Sequence, residues 1–351
     1  MTKPIAVLDS QWRRHDELFT SEDFARLGEM CELVWAKSDP IPASVLAENL
    51  GKMRFYLSAL PTLDANQIAA AKNLQAVIEL YGAFPDTVDY AACFEHKIEV
   101  LATGPGMRGS VAEMAVAMAL SAGRGLVEEH ELFRTGGEHW LNDNPKTDFT
   151  MFGQSIGFVG FGQIAREISR LLAPFSPKIA AYDPWLDPAE AAKLGVKLAS
   201  LEEVAKTSRV FFVTAAPTKT NKGLVDAATI AKLQPGALVV LVSRAHLIDF
   251  DALVAAAEAK RIKAAIDVFP VEPLAENHIL RKLPNVILSP HRAAAVTGGR
   301  QLMGKLIVAD IKRMLDGQPP ANLQRARPEH VLDLAGVQHS KKLESMAEER
   351  E

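Results

Sequence analysis

Cysteine is scarce in this 351-residue chain, which has only Cys31 and Cys93. The pair matches no C-x-x-C metal motif and no disulfide framework, so no metal is expected and a reduced, cytoplasmic setting is favoured. Long apolar runs are absent too. No uninterrupted stretch approaches the roughly 18 residues of a membrane span, and only four apolar residues, Ile5 to Leu8, stand together before Asp9. That is too few for the core of a signal peptide. There is no excess of positive charge. A net charge of −4 with mixed signs leaves no broad basic surface, which argues against a nucleic-acid partner. No internal repeat recurs at a fixed period.

What is present is ordinary globular material, 48% hydrophobic and 23% charged, in a chain long enough for two domains with separate cores. The first hundred residues alternate short apolar runs with amphipathic stretches. Strands are expected at Ile5–Asp9, Leu33–Ala36, Arg54–Leu60 and Leu74–Leu80, with helices around 15–29, 43–50, 64–72 and 86–94. From Ser110 to about Thr135 the chain is rich in helix formers, with Ser110 and Glu113 spaced as a capping box, and 136–150 reads as a loop. Apolar strands at 155–160, 178–182, 210–214, 237–242, 264–267 and 286–288 then alternate with helical patterns. Such alternation implies a parallel, doubly wound sheet covered on both faces. A last helix at about 296–316 precedes a polar tail, 327–351.

The first motif lies where the strand ending at Gly160 meets a helix, in Gly160-Phe161-Gly162-Gln163-Ile164-Ala165. Gly160 permits a tight turn, Gly162 lets the backbone approach a pyrophosphate, and Ala165 allows close packing of helix on sheet. The helix N-terminus offers unpaired N–H groups to phosphate. Asp183 closes the next strand about 20 residues on, where a carboxylate accepts hydrogen bonds from the adenosine ribose and repels a 2′-phosphate. NAD is therefore favoured over NADP. A methyltransferase shares the glycine turn and the acidic strand end, so the residues downstream decide.

Those residues are Arg244, Asp267, Glu272 and His291, each following an apolar strand toward one expected sheet edge. Reducing a 2-keto acid requires a cation for its carboxylate and an acid for its carbonyl oxygen. Arg244 offers a planar fork that matches a carboxylate. His291, in S-P-H-R, exchanges protons near neutral pH, and Glu272 is its candidate carboxylate partner. Asp267 is placed to orient a nicotinamide carboxamide.

The stretches G-F-V-G-F-G-Q-I-A, A-A-Y-D-P, L-Q-P-G-A-L-V-V-L-V-S-R, A-A-I-D-V-F-P-V-E-P-L and L-P-N-V-I-L-S-P-H resemble, in order, those of the D-isomer-specific 2-hydroxyacid dehydrogenases. This resemblance implies two Rossmann-like domains. A discontinuous, flavodoxin-like catalytic domain, 1–103 with 296–326, would bracket an NAD-binding domain, 104–295. It implies that Arg244 binds and polarises the substrate, that Glu272 holds and charges His291, and that His291 is the acid/base. Gln163 and Ile164 would lie at the pyrophosphate. Val242, Ser243 and Ala294 would line the nicotinamide side together with Arg244 and His291. A loop at Tyr81, Gly82 and Ala83 would present backbone amides to the substrate. It also implies a homodimer through the 110–150 region, with Trp140 on its arm.

Three departures accompany the match. The usual glycine-rich substrate loop reads Tyr81-Gly82-Ala83-Phe84-Pro85-Asp86, in which Pro85 has no N–H to donate. Arg244 is followed by Ala245-His246 where two glycines are usual. Around the third strand, Leu57-Ser58-Ala59-Leu60 lacks the arginines that resembling phosphoglycerate enzymes use for phosphate. The expectation is an NAD-dependent oxidoreductase acting on a small non-phosphorylated 2-keto or D-2-hydroxy acid. The altered loop motivates an alternative, an NAD-responsive regulatory or binding protein with little turnover.

Overall fold

The computed structural model describes residues 2–35, 40–141, 148–218, 220–296, 298–327 and 331. Outside them lie the end of the expected second strand at 36, positions 142–147 of the expected 136–150 loop, and nearly all of the 327–351 tail. The chain folds as two units, one of Met1–Arg108 with Ala295–Glu351 and one of Gly109–Ala294. The first unit holds β1 (Ile5–Asp9), β2 (Glu32–Trp35), β3 (Met53–Ser58), β4 (Ala76–Glu79) and β5 (Glu99–Ala102). The second holds β6 (Ser155–Val159), β7 (Lys178–Tyr182), β8 (Val196–Leu198), β9 (Val210–Val213), β10 (Leu238–Leu241), β11 (Lys263–Ile266) and β12 (Val286–Leu288). The last strand, β13 (Gln324–Arg325), returns to the first unit.

In the first unit the order is β13-β5-β4-β3-β1-β2, parallel except where β13 pairs antiparallel with β5. Strand order reverses between β1 and β3, as in flavodoxin-like sheets. In the second unit the order is β12-β11-β10-β9-β6-β7-β8, all parallel, and the reversal falls between β6 and β9. This is a doubly wound sheet. Its central strands β9 and β10, V-F-F-V and L-V-V-L, are buried at every residue, which is why they read as continuous apolar runs rather than alternating ones.

The expected long helix at 110–135 is instead two helices, Arg108–Gly123 and Leu126–Thr135, meeting at 58°. Gly125 causes the break. It adopts φ +60°, where a side chain is strained, and an added Cβ would stand 3.2 Å from Asp148 Oδ1. Asp148 in turn pairs with Lys263, which is 3% exposed and also donates to Ala122 O. A buried cation is thus matched to a carboxylate and to the carbonyl end of the first helix. The helix before the break packs Val111, Ala112, Ala115, Met118, Ala119 and Ala122 into the second core. Taken singly, no described helix is long and apolar enough to cross a membrane.

The second unit begins at Gly109 rather than 104 because the short turn Gly104–Gly106 packs against the last helix, Gln301–Leu315, of the first unit. That helix starts later than the expected 296. Gly298 turns at φ +76° before it begins.

Candidate active site

The cofactor and catalytic candidates of the second unit follow the carboxyl ends of its strands, where open parallel sheets take their ligands. After β6, Gly160 adopts φ +81°, and a Cβ there would lie 2.5 Å from Ala215 Cα. Only glycine passes. Its N–H donates to Tyr182 O, and the Thr214 hydroxyl donates to its carbonyl at 2.7 Å. Gly162 is the N-cap of the helix Gln163–Leu172 and provides no side-chain cap. A Cβ at Gly162 would meet nothing within 4 Å. Uncapped first-turn amides facing open space form a cradle suited to a pyrophosphate, with Gln163 and Ile164 as its first helical residues. Ala165 is fully buried, as close helix–sheet packing demands.

Asp183, just past β7, accepts the Phe161 N–H at 2.7 Å on Oδ2 and the Trp185 N–H at 2.9 Å on Oδ1. It ties the glycine turn to the neighbouring strand end and keeps lone pairs for ribose hydroxyls. The residues at this end therefore fit a dinucleotide.

After β10, the buried Ser243 donates from Oγ to Val213 O at 2.9 Å, and Val242 is 4% exposed. Arg244 is half-buried, and its Nη1 donates to Ser243 O at 2.7 Å. The departure at Ala245-His246 has a visible structural use. The His246 ring bonds Thr218 O at 2.7 Å and so fixes a loop that glycine would leave loose.

After β11 and β12 come the acid groups. His291 Nδ1 lies 3.0 and 2.7 Å from the two Glu272 oxygens. Glu272 Oε1 also accepts the Phe269 N–H at 3.1 Å. His291 itself has φ +51°, an uncommon conformation for a residue with a side chain. Asp267 over-determines it. This carboxylate is 1% exposed and accepts from Ser289 Oγ at 2.5 Å, Arg292 N at 2.9 Å and Ala293 N at 3.1 Å, while Asp267 O accepts the His291 N–H at 2.8 Å. Three of its lone pairs are engaged in the histidine turn, and Oδ2 keeps one for a contact such as a carboxamide. Ala294, half-buried, packs at the edge of the second core.

In the first unit, the N–H groups of Tyr81, Gly82 and Ala83 all donate to the carboxyl of Glu79, the two longer bonds at 2.7 and 2.9 Å. Glu79 is 1% exposed, and burial pushes its carboxyl up to about 8. Phe84 packs against the first-unit core, and Pro85 O accepts the Tyr90 hydroxyl.

Two residues that shape these sites were missed in the sequence reading, Glu79 and Thr214. Each is a polar residue closing an apolar strand, the signal that had singled out Asp183 and Asp267.

Residues 116–293 match the family model described as D-isomer specific 2-hydroxyacid dehydrogenase, NAD binding domain. Among curated proteins, the D-3-phosphoglycerate dehydrogenase of Mycobacterium bovis is 29% identical over 295 residues, 84% of this chain and 55% of that protein. The chain thus spans about half the length of that relative. The glyoxylate reductase of Thermofilum pendens is 31% identical over 308 residues, covering 84% of this chain and 89% of that one. A crystal structure of a phosphoglycerate oxidoreductase from Rhizobium etli superposes with a TM-score of 0.83 at 33% identity, covering 93% and 99% of the two chains.

Proposed function

The chain belongs to the D-isomer specific 2-hydroxyacid dehydrogenase family, and from that premise we propose that it interconverts a small, non-phosphorylated 2-keto acid and its D-2-hydroxy acid. Bound NAD(H) supplies the hydride and its electron pair. Gly160 and Gly162 shape its cradle, Gln163 and Ile164 present amides to the pyrophosphate, and Asp183 takes the ribose and disfavours a 2′-phosphate. Arg244 binds the substrate carboxylate through its fork.

The observation that carries the reading is the pairing of His291 with Glu272. With Nδ1 committed to the carboxylate, proton exchange with substrate falls to Nε2. As the carbonyl carbon gains hydride, its oxygen takes the Nε2 proton, and the reverse holds for oxidation. Asp267 acts on this step by holding the histidine turn.

The burial of both unbridged thiols, Cys31 and Cys93, supports a reducing, cytoplasmic location. The exposed Leu126, Val127, Phe133, Trp140 and Leu141 supply an apolar surface for a homodimer through the 110–150 region, with 142–147 outside the described residues. The test mixes the protein with NADH or NADPH and a panel of 2-keto acids and follows cofactor absorbance. Oxidation of NADH well above NADPH is expected. NADH binding without turnover on any acid would instead favour the regulatory alternative.

A further inference from the structure

The loop expected to receive a substrate carboxylate has its donors engaged, since Tyr81, Gly82 and Ala83 all donate to Glu79. Beside it the first unit gathers cations. Arg13 lies in the turn that follows β1, at the strand-order reversal between β1 and β3 where sheets of this type bind ligands. Its guanidinium stands 5.4 Å from the centre of the Tyr81 ring, and Trp12 meets the same ring edge-on at 6.0 Å.

Arg300 directly precedes the last helix, whose first residue Gln301 donates to Asp16 O and ties that helix end to the short helix His15–Leu18 that follows the turn. Both arginines reach one carboxylate, Glu17, with nitrogen–oxygen distances of 3.9 Å from Arg13 and 3.4 Å from Arg300. Charge-assisted bonds close to about 2.7–2.9 Å when fully made, so neither pair is tight.

The Nε atoms of both arginines are buried without a hydrogen-bond partner. Arg13 as a residue is 9% exposed, and its pKa is lowered first by burial and next by the neighbouring Arg300 cation. Glu79 is the other acid acting on Arg13, but burial pushes its carboxyl toward the neutral form, so the two crowded guanidiniums share one ordinary carboxylate, the distant Glu17, and positive charge is left in excess. Burying such charge is costly until an anion arrives to match it.

We propose that Arg13 and Arg300 form an anion-binding site, contained within the first unit, for an acidic group of the substrate other than the carboxylate assigned to Arg244. The inference rests on the proposed function and narrows it to dianionic 2-keto acids. A distal carboxylate is the group expected, given the non-phosphorylated reading, and a phosphate shares the chemistry.

The test compares matched substrates with NADH, 2-ketoglutarate against 2-ketopentanoate and phosphohydroxypyruvate against hydroxypyruvate, in the wild type, Arg300→Gln and Arg300→Lys. In the wild type the charged member of a pair has a KM lower by about tenfold to a hundredfold, the worth of a charge-assisted contact. In Arg300→Gln that ratio collapses toward one, and in Arg300→Lys it partly returns. A ratio near one in the wild type, or one that survives unchanged in Arg300→Gln, overturns the proposal.

A preference confined to phosphohydroxypyruvate keeps the site and removes the non-phosphorylated reading. If no acid is reduced, calorimetric titration with 2-ketoglutarate separates the two claims. Binding lost in Arg300→Gln upholds the site while the proposed activity falls, and absence of binding sinks the site as well.

Discussion

Replacing Asp267 by alanine tests whether this buried carboxylate holds the histidine turn or serves only a cofactor. The side chain satisfies the Ser289 hydroxyl and the Arg292 and Ala293 amides, at a site 1% exposed. Removing it orphans two buried donors, the Ser289 hydroxyl and the Ala293 amide, and the partly buried Arg292 amide; a buried donor left unsatisfied costs about 1–3 kcal/mol. The two buried ones alone, at the lower end of that range, give a loss of about 2 kcal/mol. For a unit of this size that corresponds to a fall in Tm of about 4–8 °C.

The same change frees His291 from φ +51°. Its ring should then leave Glu272, and kcat at saturating NADH and keto acid is expected to drop about as far as for loss of the acid itself, ~10²–10⁴. The assay is thermal unfolding of apo protein together with steady-state kinetics. A Tm unchanged within about 2 °C, with only KM for NADH raised, would refute the positioning role and restore a purely cofactor-binding one.

Four other outcomes are expected. Gly160→Ala should fail to fold or unfold at markedly lower temperature, since its Cβ would enter Ala215; Gly162→Val, facing open space, should keep Tm while weakening NADH binding by about tenfold or more, and a reversed pattern would refute the cradle. Glu79 has a folded-state pKa of about 8 against an ordinary 4.5, so the native state holds a proton that the unfolded chain releases. Stability is then full below about 4.5 and falls by up to ~1.4 kcal/mol per pH unit as pH rises toward 8. The difference in urea midpoint between wild type and Glu79→Gln should follow that trend between pH 5 and 8, and a difference independent of pH would contradict it. Asp183→Ala should raise NADPH use relative to NADH, measured as a ratio of kcat/KM; an unchanged ratio would exclude its role in cofactor choice. Phe133→Ser should shift the mass measured by light scattering from dimer toward monomer, and a wild type that is already monomeric would dismiss the interface.

Legibility in the sequence followed how local the cause was. Strands β9 and β10 were plain because they are buried on both faces and so carry unbroken apolar runs. Gly160, Gly162 and Asp183 were legible because a turn, an N-cap and a strand end each occur within a few residues. β5 and β8, only Glu99–Ala102 and Val196–Leu198, escaped because a charged residue, Glu99 or Lys197, interrupts each short apolar run. The break at Gly125 was hidden because the left-handed φ of that glycine, and its closeness to Asp148 held by Lys263, show only in the fold. The engagement of the 81–83 amides was hidden for a related reason. An acid ending A-V-I-E gives no sign of whether it turns back on its own loop or faces a ligand. The arginine pair escaped because its members stand 287 residues apart in sequence, at Arg13 and Arg300.

The central claim is that His291, held by Glu272, moves the proton. The direct measurement is kcat of His291→Ala against wild type at saturating NADH and the best keto acid of the panel, with NADH affinity measured on the same preparation. A loss of about 10²–10⁴ with cofactor affinity kept is the result this account predicts. Near-normal turnover in His291→Ala would contradict it.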